Sequence, residues 1–121
     1  MPSPAIVEAF ATTVEAGDYI GAIERFYAPE ASMRENGDPP RVGRDLLVEG
    51  ERLVMSAFKE IRARRMAPIL VDGDRVAIRW RFEFIPADGP PRTLEEIAWQ
   101  TWRGGQVLEE RFFYDPKQMG R

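Results

Sequence analysis

Apolar residues recur at helical spacing over the first half of the chain and at strand spacing over the second. Ile6, Val7, Phe10, Ala11 and Val14 repeat at intervals of three and four, and Ser3-Pro4 ahead of them supplies an N-cap and a proline at the first helical position. This helix is expected to end near Ala16, with Gly17 as a left-handed cap. Asp18 starts a second helix whose apolar side holds Ile20, Ile23, Phe26 and Tyr27 until Pro29 stops it. In Ala31-Ser32-Met33-Arg34-Glu35 the period is two, so Ala31, Met33 and Glu35 share one face of a short strand. Asn36-Gly37-Asp38-Pro39-Pro40 reads as a loop at the rim of whatever Glu35 faces. From Gly43 onward, Leu46, Leu47, Gly50, Leu53, Val54, Ala57 and Phe58 trace the buried stripe of a third helix.

Thereafter the pattern alternates. Ile61 to Val71 reads as one strand and Asp72-Gly73-Asp74 as a tight turn. Val76, Ile78, Trp80, Phe82 and Phe84 then alternate with Ala77, Arg79, Arg81 and Glu83. Pro86 to Pro91 turns the chain again, and Thr93 to Trp102 and Val107 to Tyr114 form two last strands joined around Gly104-Gly105. Helices segregated from an antiparallel meander predict one α+β domain over residues 1–121, with the helices on one face of a bent sheet.

Composition narrows the chemistry. The 121 residues suffice for one core, and a formal net charge of −3 gives no global attraction to nucleic acid or anionic membrane. The absence of cysteine and histidine excludes disulfides, thiolate or imidazole metal ligation, and histidine-dependent triads. Acid–base chemistry must therefore use Asp, Glu, Tyr, Lys or Arg. Acidic spacings show no calcium loop and the turn glycines have no phosphate-binding context, so neither metal nor cofactor is expected. Met1-Pro2-Ser3-Pro4 lacks the basic and apolar regions of a signal peptide, and no apolar run is long enough to span a membrane, so a cytoplasmic protein is expected.

Three stretches, Glu15-Ala16-Gly17-Asp18, Phe26-Tyr27-Ala28-Pro29-Glu30-Ala31 and Met33-Arg34-Glu35-Asn36, resemble the helix-hairpin-to-first-strand signature of the nuclear transport factor 2-like superfamily. Within it, the chain is most similar to the ketosteroid-isomerase and SnoaL-like polyketide-cyclase branch, over nearly its whole length. The resemblance implies a cone with three N-terminal helices packed on the concave face of a strongly curved sheet, and a pocket between the two layers. It also implies that Glu35 occupies the position of the isomerase's carboxylate base. The oxyanion hole of that enzyme class, a tyrosine and a protonated aspartic acid, falls here at Phe10 and near Ala98, neither of which can donate. Loss of one such donor typically costs about 10²- to 10³-fold in rate. Tyr27, Glu96, Gln100 and Tyr114 are the candidate replacements. The cyclases' Asp/His pair has no counterpart in a chain without histidine.

Alternation places Glu96, Ala98, Gln100 and Trp102 on one side of a late strand and Leu108, Glu110, Phe112 and Tyr114 on one side of the last. Matched to the family's concave face, the expected pocket contains Phe10, Tyr27, Met33, Trp80, Phe82, Glu96, Gln100, Glu110, Phe112 and Tyr114, with Glu35 as the base. Two carboxyl groups in one apolar pocket would separate into an acid and a base; pairing of these glutamates with arginines is the competing reading. Six arginines between Arg62 and Arg81 form a basic stretch, which cross-strand pairing with Glu83, Glu95, Glu109 and Glu110 should neutralise, so nucleic acid is not an expected partner. Ile97, Trp99, Thr101 and Phe113 face away from the pocket, an apolar surface that argues for a partner, and the resemblance implies a homodimer through this sheet face. The expected function is binding of a small, largely apolar carbonyl compound, with proton transfer by Glu35 in an isomerisation, cyclisation or dehydration; the alternative is a binding or dimerisation module that kept the fold and lost the chemistry.

Overall fold

A computed structural model describes residues 1–120. Ser3 caps helix α1 (Pro4–Glu15), its hydroxyl accepting from the Ile6 N–H, and Asp18 caps α2 (Tyr19–Phe26) through the Gly21 N–H. Strand β1 (Tyr27–Glu35) follows without a loop. Tyr27 is therefore the first strand residue, where the sequence pattern placed it on the helix. Pro29 cannot continue a helix and biases Ala28 to extended backbone, and it falls where the pairing register of β1 shifts.

Beyond the rim loop, a two-residue strand β2 (Arg41–Val42) pairs with β1, setting Met33 against Arg41. Gly43, at φ +108, then turns the chain into α3 (Arg44–Ser56) while its N–H donates to the Ala31 carbonyl. The single strand expected over Ile61 to Val71 is two, β3 (Glu60–Arg65) and β4 (Leu70–Asp72), both paired with β5 (Arg75–Ile85). Pro68 lies in the break, where it has no N–H to give to a ladder. Strands β6 (Arg92–Arg103) and β7 (Gln106–Phe113) complete the sheet, and a 3₁₀ turn (Pro116–Met119) follows.

The sheet order is β2-β1-β7-β6-β5-β3, antiparallel except where β1 runs parallel to β7. Three helices on one face of this curved sheet make an α+β cone. The narrow end is packed by Val7, Phe10, Ala11, Ile23, Val76, Ile78, Trp102 and Val107. Phe10 meets the rings of Phe26 and Trp102 edge-on, with centroids 5.7 and 5.9 Å away. Arg65 clamps α1 to β3: its backbone N–H and Nε donate to the two Glu15 carboxylate oxygens at 3.0 and 2.9 Å.

Helix α3 departs from its sequence pattern. Leu47 and Val48 are buried, whereas Leu46 is exposed and Leu53 is 72% exposed. Its first half packs on the core, while its second half leans over an opening, so its apolar residues meet empty space rather than side chains.

Candidate functional site

A cavity of about 530 Å³ lies between the helices and the concave sheet face. Period-two geometry aims Trp80, Phe82 and Phe84 of β5, Leu94 and Glu96 of β6, and Glu110 and Phe112 of β7 into it. Phe10, Tyr27, Met33, Glu35 and Tyr114 complete the wall expected from the sequence. Gln100 is not on that wall. It is completely buried one layer behind, because it lies opposite Glu110 and its amide is turned onto that carboxylate.

The polar interior is a relay of side chains. Trp102 Nε1 donates to Gln100 Oε1 at 2.9 Å, which orients the amide so that Nε2 donates to Glu110 Oε2 at 2.6 Å. The Tyr27 hydroxyl donates to the other oxygen, Glu110 Oε1. Burial pushes the Glu110 carboxyl up to about 7, against the two hydrogen bonds that favour its anion, and the charges of Glu51 and Glu35 add to the rise. Burial, then the neighbouring Glu110, also raises the Tyr27 hydroxyl well above its ordinary value.

Glu96 differs from Glu110. No hydrogen bond or ion pair reaches its carboxyl group among the described residues, and burial, followed by repulsion from Glu110, Glu35 and Glu51, raises it to about 8. At neutral pH it is chiefly a carboxylic acid: a proton donor on an apolar wall. Ala98, two residues along the same face, is fully buried opposite Phe112 and offers no donor.

Glu35 stands at the mouth. Arg41 Nη1 donates to its Oε2 at 2.6 Å and Nη2 to its Oε1 at 3.1 Å, a bidentate clamp set by the pairing of β1 with β2. Pairing of Glu35 with a nearby arginine was the alternative to a free base in the sequence, which did not say which arginine; Glu51 was missed. That residue follows the buried pair Leu47 and Val48 by four and three positions, a spacing that sets it on their side of α3. Burial raises the Glu51 carboxyl, while Arg41 pulls it down and Glu35 pushes it up. No three acidic side chains among the described residues converge to hold a metal ion.

On the opposite sheet face, Ile97, Trp99 and Phe113 are 43, 46 and 42% exposed, with Ile97 and Phe113 directly opposed on β6 and β7. Cross-strand pairs do meet part of the basic stretch, Arg62 with Glu83 at 3.6 Å and Arg81 with Glu95 at 3.9 Å. Glu110 takes no part, since it faces the cavity. No described helix is long and apolar enough to cross a membrane.

The model of the SnoaL-like domain matches residues 7–110, spanning both the helical layer and the acidic wall. The chain belongs to the SnoaL-like family. Among solved structures, this SnoaL-like chain is 26% identical to a candidate SnoaL-like polyketide cyclase from Mesorhizobium loti, with TM-score 0.76 over 91% of this chain and 97% of that one. Two more distant structures share the fold: TerC, co-crystallised with polyporic acid (18% identity, TM-score 0.80, 96% and 93% covered), and a ketosteroid isomerase-like protein from Catenulispora acidiphila in complex with trimethylamine (16%, 0.78, 93% and 87%). No curated protein matches the sequence.

Proposed function

We propose that this SnoaL-like protein binds a small, largely apolar carbonyl compound in its cone and moves a proton on it. The observation that carries this reading is Glu96, an acid-form carboxyl inside an aromatic cavity with no hydrogen-bond or ion-pair partner among the described residues. A carbonyl oxygen seated against Glu96 would accept its hydrogen bond, which strengthens as the oxygen becomes enolate-like. Glu96 thus takes the part of the donors absent at Phe10 and Ala98. Glu35 removes the proton from the carbon next to that carbonyl and returns it to another carbon in an isomerisation; in a dehydration, a leaving hydroxyl would instead take the proton of an acid such as Glu96. Glu110, with both oxygens already engaged, holds the Tyr27 ring and, after burial, adds the repulsion that keeps the Glu96 proton in place. The ligands seen in two relatives of the fold are also small organic molecules.

The test needs no known substrate. Deuterium exchange of the α-protons of a panel of cyclic ketones and enones, followed by NMR, is expected to run faster with the protein than in buffer. Glu35→Gln should abolish the acceleration, and Glu96→Ala should reduce it by about 10²- to 10³-fold. Binding without accelerated exchange would establish the second reading, a binding module. The Arg41 clamp favours that reading, because its guanidinium already occupies both oxygens of Glu35. In either case we propose a homodimer through the outer sheet face at Ile97, Trp99 and Phe113, where three large apolar side chains are left in solvent.

A further inference from the structure

The outer sheet face carries charged groups that the cavity chemistry does not use. Arg34 of β1 lies beside Arg111 of β7 in parallel register, two like charges on adjacent strands. Neither is met by a carboxylate among the described residues, and the buried Arg34 Nε has no hydrogen-bond partner there. Arg111 is held in one orientation. Its Nε donates to the Asn36 carbonyl at 2.7 Å and its guanidinium lies over the Phe113 ring, 4.6 Å from the centroid. With Nε and one flat face engaged, its two terminal nitrogens remain, the end of a guanidinium that suits a carboxylate. The same strand presents the complement. Glu109 is exposed, stands two residues before Arg111 on the same face, and has no ion pair among the described residues.

We infer that Arg34 and Arg111 of one subunit receive Glu109 of a second copy of this chain. The inference rests on the outer-face homodimer proposed above and names what fixes its register. In an isologous interface, a contact from one position to another is repeated in reverse. A two-fold axis passing near the middle of β7 would set each Glu109 against the other subunit's Arg111 and Arg34, two ionic contacts for one complementary strand. The neighbouring register partners of these positions on β6 are Thr101, opposite Glu109, and Trp99, opposite Arg111. The axis therefore also brings the exposed Trp99 into the interface. On β5, Arg75 and Arg79 lie beyond β6, opposite Thr101 and Ile97, and Arg81 is met by Glu95. They leave the face basic overall, so Glu109 is the acidic group of β7 available to neutralise the arginine couple.

Charge reversal tests this by sedimentation velocity on the full-length chain. Wild type should dimerise, more weakly as salt is raised. Arg111→Glu and Glu109→Arg should each raise the dimer dissociation constant at least about tenfold. An equimolar mixture of the two variants should form a heterodimer, because both contacts between positions 109 and 111 are then between opposite charges, against a single repulsion of Arg34 by the arginine introduced at position 109. Glu109→Arg changes an exposed side chain, so its outcome is read on a folded protein even if Arg111→Glu is compromised. Variants that dimerise as tightly as wild type, or that fail to recover on mixing, overturn the ionic contact. Trp99→Glu separates the two ideas: if it abolishes the dimer while the charge variants do not, the outer-face dimer stands and the ionic contact falls. A Trp99→Glu protein that stays dimeric, or a monomeric wild type, overturns both.

Discussion

Glu96 is an acid kept where its anion has little water and three negative neighbours. That arrangement makes folding depend on pH in a stated direction. Below the unfolded value of 4.5 the group is neutral in both states; between 4.5 and about 8 the unfolded chain ionises while the folded one retains the proton. Stability is therefore greatest at the acid end of this window and falls as pH rises through it, and Glu110, raised to about 7, acts in the same sense. Urea denaturation at pH 5 and pH 8 should show the fall. Glu96→Gln should flatten it and be more stable than wild type at pH 8, by a margin on the order of a few kcal/mol. Tyr27 tests the neighbouring relay. Tyr27→Phe leaves a buried carboxylate oxygen without its donor, which should destabilise the fold by about 1–3 kcal/mol at neutral pH, with most of the loss recovered where Glu110 is protonated. Equal losses at pH 5 and pH 8 would remove the charge of Glu110 from the account.

Two elements carry the difference between a filled core and an open site. In α3, Leu47 is buried and Leu53 lies at the cavity opening, although both belong to one apolar stripe in the sequence. Leu47→Ala should cost about 2–5 kcal/mol in stability, as buried leucines do. Leu53→Asp should leave stability within about 0.5 kcal/mol and weaken the binding of an apolar fluorescent probe. A loss of stability at Leu53 as large as that at Leu47 would mean that the helix end is packed. The third helix was legible as an element because its period of 3.6 is local. Which half of its stripe meets the sheet was not, because that depends on how far the sheet curves away beneath it. Strand β2 was missed for a related reason: two exposed residues carry no alternation, and their pairing follows from where Pro39-Pro40 returns the chain alongside β1.

At the scale of the whole molecule, the charge on the site is the sum of elements distant in sequence: Glu35 from β1, Glu51 from α3, Glu96 from β6 and Glu110 from β7. Their mutual repulsion is a property of the closed cone, and a neutral acceptor that binds Glu96 should do so only while that group keeps its proton. Affinity for a cyclic ketone, measured by calorimetry, is thus expected to be level below about pH 7 and to fall above about pH 8. An affinity for the ketone that rises with pH would remove the Glu96 proton from its binding. The amino-acid sequence by itself determined the order of the helices and long strands, the α+β class, the alternating sides of each late strand and the exclusion of thiol and imidazole chemistry, because periodicity and residue type are local. Alternation gave the side of its own strand on which each of Glu35, Glu96 and Glu110 lies, and the family resemblance set those sides on one concave face. Only the tertiary structure decided that Arg41 clamps Glu35, that Gln100 turns its back on the cavity to hold Glu110, and that Glu96 has no partner among the described residues. These depend on which strands are neighbours and on how much water the curved sheet excludes, quantities set by contacts between residues up to 83 positions apart.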